Sequence, residues 1–235
     1  MNYAHKFKIE TMTSQDIVLF VPKKRETQYL NEAMRALKSL RVKNYFVFAH
    51  IGSQQSFIQN MDLLSQITLE TNNNVLNQKN ETMLEDLAVR LETRPALKSL
   101  FHAIGPVQKK VSECSSKELL IASMVKGLLS EAPLVIVECI DEHADPFLKA
   151  LFKKAILEKN EKDKTNFLIL THDAHYWSEL CDKSITYNED LSYSLNNLEE
   201  RKTKNTSLTV HNNKITPLDN PLSLVQSLEA MKKIS

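Results

Sequence analysis

VSECSSKELLIASMVKGLLSEAPLVIVECIDEHADP, Val111–Pro146, is the stretch whose reading decides the fold. Leu119–Leu129 carries a helical pattern, and Ser115 stands ahead of it as a ready N-cap. Leu134–Val137 is an unbroken apolar run, as a central parallel strand buried on both faces requires. Asp145-Pro146 then opens an amphipathic helix over Pro146–Lys159. Further on comes FLILTHDAHYWSELCD, Phe167–Asp182. It reads as a second buried strand, Phe167–Thr171, and a short helix, Ala174–Cys181. Helix and strand alternate, which implies an α/β fold with a parallel or mixed sheet.

Working outward, DIVLFV (Asp16–Val21) is a β-rich run. In Gln28–Leu40 the residues Leu30, Met34, Leu37 and Leu40 can share one helical face. NYFVFAHI, Asn44–Ile51, reads as the next strand. From Phe57 to Lys110 the pattern is helical but irregular, with a polar loop over Thr71–Asn80. EKNEKDKTN, ahead of Phe167, reads as a charged connector. The tail Glu199–Ser235 suggests hairpin-like strands around HNNK and a helix over Leu222–Met231.

Composition narrows the function classes. The chain has 235 residues, 42% of them hydrophobic and 25% charged, which fits one soluble domain. A net charge of +1 gives no field to recruit nucleic acid or an anionic membrane. No apolar run reaches the roughly eighteen residues of a membrane span, so direct insertion is not expected. Cys114, Cys139 and Cys181 are odd in number and widely spaced, which fits a reduced, cytoplasmic setting better than a disulfide framework. Only three glycines occur: Gly52, Gly105 and Gly127.

In order and spacing these pieces resemble the ATPase of ATP-binding-cassette (ABC) transporters. The resemblance implies a P-loop NTPase-like (RecA-like) core in a single domain spanning 1–235, with a helical subdomain over about 57–129. It is best from Ser112 to Asp182. A P-loop needs GxxxxGK[ST], because glycine amides curl around phosphates, Lys bridges them and Ser/Thr holds magnesium. Here VPKKRETQ follows the first strand. Matched on Pro22, Val21 and Glu26 replace glycines, Thr27 replaces the lysine and Gln28 the hydroxyl. The triplet Lys23-Lys24-Arg25 reads as a solvated loop.

Ser115 matches the serine of the signature motif, with Ser116 and Lys117 in place of its glycines. VIVECIDEHADP is similar to a Walker B strand and D-loop. Glu138 takes the magnesium-holding aspartate position, Cys139 that of the water-polarising glutamate, and Asp145 the D-loop aspartate. A thiol is a poor general base, and a Cys at a strand end is ordinarily a small hydrophobe. The acids Glu138, Asp141, Glu142 and Asp145 read as solvated strand-end charges rather than a metal cluster. His172 matches the switch histidine; its plainer reading is a strand-end imidazole bonded to backbone. His172 and His175 lack the companions of a metal site. Ala49 or His50 stands where a Q-loop glutamine is due, with Gln54 and Gln55 beyond. Tyr3 is the one aromatic available for adenine, and it is too close to the loop.

The expectation is a pseudo-ATPase: no catalytic residue, no metal, and ATP–magnesium binding lost or very weak. The resemblance implies partners, namely an active ABC ATPase and/or a membrane permease, with homo- or heterodimerisation open. It would then sit on the cytoplasmic face of a membrane. SECSS, the short connector to HADP, and THD are most similar to the ATPase of bacterial phospholipid (Mla-type) transport. A soluble regulator or scaffold, and an unusual active ATPase, are the alternatives. Met61, Leu63, Leu64, Ile67, Leu84, Leu87 and Leu91 are expected to be mostly core, with a minority of exposed apolar residues forming a partner groove.

Overall fold

Strand pleating sorts the apolar residues of this chain into two cores, one on each side of a six-stranded sheet. The computed structural model describes residues 12, 15–22, 29–42, 45–52, 57–69, 80–140, 143–190 and 192–198. In chain order the elements are β1 (Ile17–Phe20), α1 (Tyr29–Ser39), β2 (Phe48–Gly52), α2 (Leu63–Thr68), α3 (Asn80–Glu92), α4 (Pro95–Ile104) and α5 (Ser116–Leu129). There follow β3 (Leu134–Glu138), α6 (Pro146–Asp163), β4 (Asn166–Leu170), α7 (Ala174–Ser178), β5 (Lys183–Tyr187) and β6 (Tyr193–Asn197). All these elements lie within the unit Met1–Glu200; Arg201–Ser235 falls outside the described residues. The expected tail strands and helix therefore lie outside them too.

The strand order is β2-β3-β4-β1-β5-β6, parallel throughout except for the antiparallel β5–β6 pair. Because side chains alternate, Ile17, Leu19, Val135, Val137, Phe167 and Ile169 face one core. Val18, Phe20, Leu134, Ile136, Leu168 and Leu170 face the other. α1 covers that second face with Ala33, Ala36 and Leu37, and Leu40 follows just beyond its end. Leu30 and Met34 pack at its border, as their spacing predicts. Residues from α2 through α7 fill the first core, including Trp177 and Phe152.

Several boundaries differ from the sequence reading. β2 starts at Phe48, not Asn44; Tyr45–Val47 form a turn in which Phe46 and Val47 are exposed. Most of the charged connector is helix, since α6 runs on to Asp163. Tertiary bonds override its polarity: Lys159 Nζ donates to Ser130 O at 2.6 Å, and Asn160 Nδ2 donates to Gln15 O and Thr165 O, both at 2.9 Å. Lys164, at φ 57°, ends the helix in the left-handed conformation. α7 stops at Ser178 rather than Cys181. Of the expected loop Thr71–Asn80, Asn80 opens α3 and the rest lies outside the described residues.

The topology also fixes where a ligand crevice can open. α1 leaves β1 toward one face, while α7 leaves the neighbouring β4 toward the other. Where successive connections diverge in this way, the carboxyl ends of the two strands flank a crevice. Those ends are Phe20–Pro22 and Leu170–His172.

Candidate functional site

Pro22 is buried directly after β1, and Val21 beside it is exposed. Glu26, Thr27 and Gln28 lie outside the described residues, as do Lys23-Lys24-Arg25, Gln54, Gln55, Asp141, Glu142 and Tyr3. Beyond those residues Tyr29 begins α1. It reaches across the crevice to the residue after β4. His172 Nε2 lies 3.2 Å from Tyr29 Oη, and the two rings meet edge to face at 5.2 Å. His172 is thus held by a tyrosine side chain rather than by the backbone bond of its plainer reading. Its neighbours fix it in place. Thr171 is fully buried and its Oγ1 accepts the Asp173 N–H at 2.9 Å. Asp173 Oδ1 in turn caps α7 through the Tyr176 N–H at 3.0 Å.

Glu138 ends β3 and is partly exposed. Its Oε2 is 2.7 Å from His50 Nε2 on the adjacent β2. Parallel register places Gly52, not His50, opposite Glu138. The imidazole lies over Gly52 to reach the carboxylate: a Cβ on Gly52 would come within 3.1–3.2 Å of the ring. Ser123 of α5 anchors the same strand end, accepting from Gly52 N and donating to Gly52 O, both at 3.3 Å. Between α5 and β2 the approach is closer still, since a Cβ on Gly127 would meet Ile51 Cγ1 at 2.2 Å. Two of the three glycines therefore serve packing, and no glycine-rich phosphate cradle draws on them.

Cys139 follows Glu138 at φ 45°, a conformation that non-glycine residues seldom adopt. Its thiol is buried and its N–H donates to Leu170 O at 2.9 Å. The strained residue follows β3, bonded to the carboxyl end of the neighbouring β4.

Ser115 is a true N-cap of α5. Its Oγ accepts the Glu118 N–H at 3.3 Å, while Glu118 Oε2 accepts from Ser115 N at 2.7 Å and Ser115 Oγ at 2.8 Å. This is a reciprocal capping box. Lys109 forms an ion pair with Glu118. Lys109 first, and the two Ser115 donors after it, hold the Glu118 carboxyl down to about 2. Asp145 caps α6 by accepting the Leu148 N–H at 2.8 Å, and its Oδ2 lies 2.9 Å from Lys117 Nζ. The Leu148 amide first, then Lys117, keep its carboxyl below the usual range.

Sequence reasoning named His172, Glu138, Ser115 and Asp145 but not the residues that hold them. Tyr29 was legible by position, as the first residue after the phosphate-loop segment. The His50–Glu138 contact had no local signal, since it depends on strand register. Among the described residues no group of three or more His, Cys, Asp or Glu could hold a metal ion. His172 and His175 are both exposed and gain no third ligand there.

No family model matches this sequence, and no curated protein matches it. Solved structures do. An ATP-binding subunit of an ABC transporter superposes with a TM-score of 0.58 at 13% identity, over 81% of this chain and 82% of that one. A nucleotide-free ATP-binding cassette from an ABC transporter gives 0.54 at 12% identity, over 81% and 84%. An inward-facing putative metal-chelate-type ABC transporter gives 0.54 at 9%, over 80% and 74%. At such identities it is the architecture that is shared: the chain has the α/β fold of the ABC nucleotide-binding domain.

Proposed function

We propose that this chain is a non-catalytic subunit built on the ABC nucleotide-binding fold. It pairs with an active ABC ATPase and/or a membrane permease of a transport system, at the cytoplasmic face. One observation carries the reading. The polar groups at three positions where the family handles nucleotide are already engaged inside the chain: Glu138 by His50, Asp145 by Lys117 and His172 by Tyr29. Each is less available to magnesium, to a partner or to a terminal phosphate. Cys139 in place of the general base, and Glu26, Thr27 and Gln28 in place of the phosphate-binding residues, support the same reading. The branch that moves phospholipid rests on the similarity of SECSS, the short connector to HADP, and THD.

The partner contact falls on the segment Phe57–Lys110, which carries the helices α2–α4. Leu63, Leu64, Ile67, Leu87 and Leu91 are buried there, and Met61 and Leu84 partly so. Among the described residues of this segment the exposed large apolar side chains are Ile58 and Val89. Titration calorimetry with ATP and magnesium tests the function. No heat of binding is expected at micromolar ligand. A micromolar Kd, equivalent to roughly −8 kcal/mol, would overturn the reading.

A further inference from the structure

At the pole opposite the crevice, the carboxyl ends of α3, α5 and α6 enclose a cavity of about 540 Å3 beside Pro133, the residue before β3. Leu129, Ala132 and Pro133 give it an apolar side. Lys159 lines it as well, and is only 2% exposed, which is rare for a lysine.

An ammonium has three N–H groups to place. Two are placed here: Lys159 Nζ donates to Ser130 O at 2.6 Å and to Asp163 Oδ2 at 3.0 Å. Among the described residues no acceptor takes the third. The surrounding charges are committed to one another. Asp163 Oδ1 accepts from Arg94 Nη2 at 2.7 Å, so one carboxylate faces two cations. Arg90 pairs with Glu131, and Lys162 donates to Thr93 O. Lys164 is exposed at the rim. Burial draws the Lys159 ammonium below the ordinary lysine range against the pull of Asp163, with Arg94 aiding burial and Glu131 opposing it.

We infer that Lys159 is a carbonyl-trapping amine: the cavity admits a small uncharged aldehyde, which condenses with Nζ to an imine. Nζ first gives one proton to solvent and attacks the aldehyde carbon. The carbonyl oxygen leaves as water with the two remaining amine hydrogens, and the imine nitrogen takes up one proton. An iminium thus replaces the ammonium, the charge at the site is unchanged, and no oxidant or reductant is needed. The surroundings suit this exchange. The unplaced N–H offers a first bond to the carbonyl oxygen, and Asp163 remains as the counter-ion of the iminium. The helix carboxyl ends carry partial negative charge, which favours a retained cation and opposes an anionic ligand. Arg94 opposes a cationic one. A volume of this size lies within the about 300–1,000 Å3 of ordinary ligand sites, and desolvated lysines are the ones that form Schiff bases. The site is separate from the crevice between β1 and β4 and does not depend on the function proposed above.

Incubating the full chain with benzaldehyde and sodium cyanoborohydride near neutral pH fixes each imine as a benzylamine, and peptide mass spectrometry locates it. Lys159 should be modified about tenfold faster than the exposed Lys98 and Lys154. Ala132→Leu narrows the cavity and should slow Lys159 by about tenfold while the two surface lysines keep their rates. Asp163→Asn removes a charge that favours the ammonium, so the pH at which Lys159 reaches half its maximal rate should move down. Modification of Lys159 no faster than that of Lys98, an undiminished rate in the folded Ala132→Leu variant, or a pH midpoint unmoved or raised in Asp163→Asn would each overturn the inference.

Discussion

Lys117 Nζ stands 2.9 Å from Asp145 Oδ2, tying the first turn of α5 to the N-cap of α6 within one chain. Lys117 thus brings a cation against the Asp145 carboxylate. Both side chains remain largely exposed, so the contact orients the two helix starts more than it stabilises them. The N-cap role of Asp145 has the larger effect. Asp145→Ala should lower the Tm by about 2–4 °C, whereas Lys117→Ala should barely move it. Thermal melts followed by circular dichroism decide; equal losses for the two variants would mean that the ion pair dominates.

Restoring one catalytic group should not restore turnover. On the function proposed above, Cys139→Glu returns a carboxylate to the position of the water-polarising glutamate, while Glu26, Thr27 and Gln28 still replace the phosphate-binding residues. Phosphate release should stay at background in a coupled assay. A turnover number near about one per second, lost again on adding His172→Ala, would show an intact site.

Acid should weaken the start of α5 in a defined window. Folding holds the Glu118 carboxyl at about 2, below its ordinary 4.5. Its contribution is therefore complete above the ordinary carboxylate range and declines as pH falls from about 4.5 toward 2, where the folded form also takes up a proton. Glu118→Gln should flatten stability against pH across that window and leave the region above pH 6 parallel to the parent. The group is partly exposed, so added salt should shrink the difference. Urea melts at stepped pH give the comparison.

Gly127→Ala should destabilise the chain by about 1–3 kcal/mol, because the new methyl collides with Ile51 Cγ1 at 2.2 Å. Ile51→Ala leaves a cavity when made alone. Combined with Gly127→Ala it should cost clearly less than the two single changes together, since the methyl then enters vacated space. Additive losses in chemical denaturation would place the strain elsewhere.

The sheet core was legible because Leu134–Val137 and Phe167–Leu170 are unbroken apolar runs of strand length, and the structure buries both. Helix ends were less legible. Lys159 and Asn160 look like linker residues, yet distant carbonyls at Ser130 and Gln15 hold them in α6. Phe46 and Val47 look like strand residues, yet they lie exposed in a turn ahead of β2. Motif spacing singled out Ser115, Glu138, Asp145 and His172 as candidates. Their partners were hidden: His50 meets Glu138 across strands, and Tyr29 meets His172 across the sheet's switch point. Such contacts depend on register and topology, and neither leaves a local periodicity.

The pairing of Ile17 with Phe167 has a consequence for how the chain is made. Among the described residues β1 bonds only to β4 and β5, both later in the chain, and Asp16 is already 150 residues from its partner Asn166. At ordinary translation speeds of about 5–20 residues per second, β1 emerges from the ribosome roughly 8 to 30 s before its first neighbour exists. Through that interval IVLF has no strand beside it, and only α1 is at hand to cover one face. The sheet cannot then grow outward from the amino end. Its centre stays open until β4 slides in between β3 and β1, so a chain that stalls before Asn166 would present the inner edge of β3 and both edges of β1 to the cell at once.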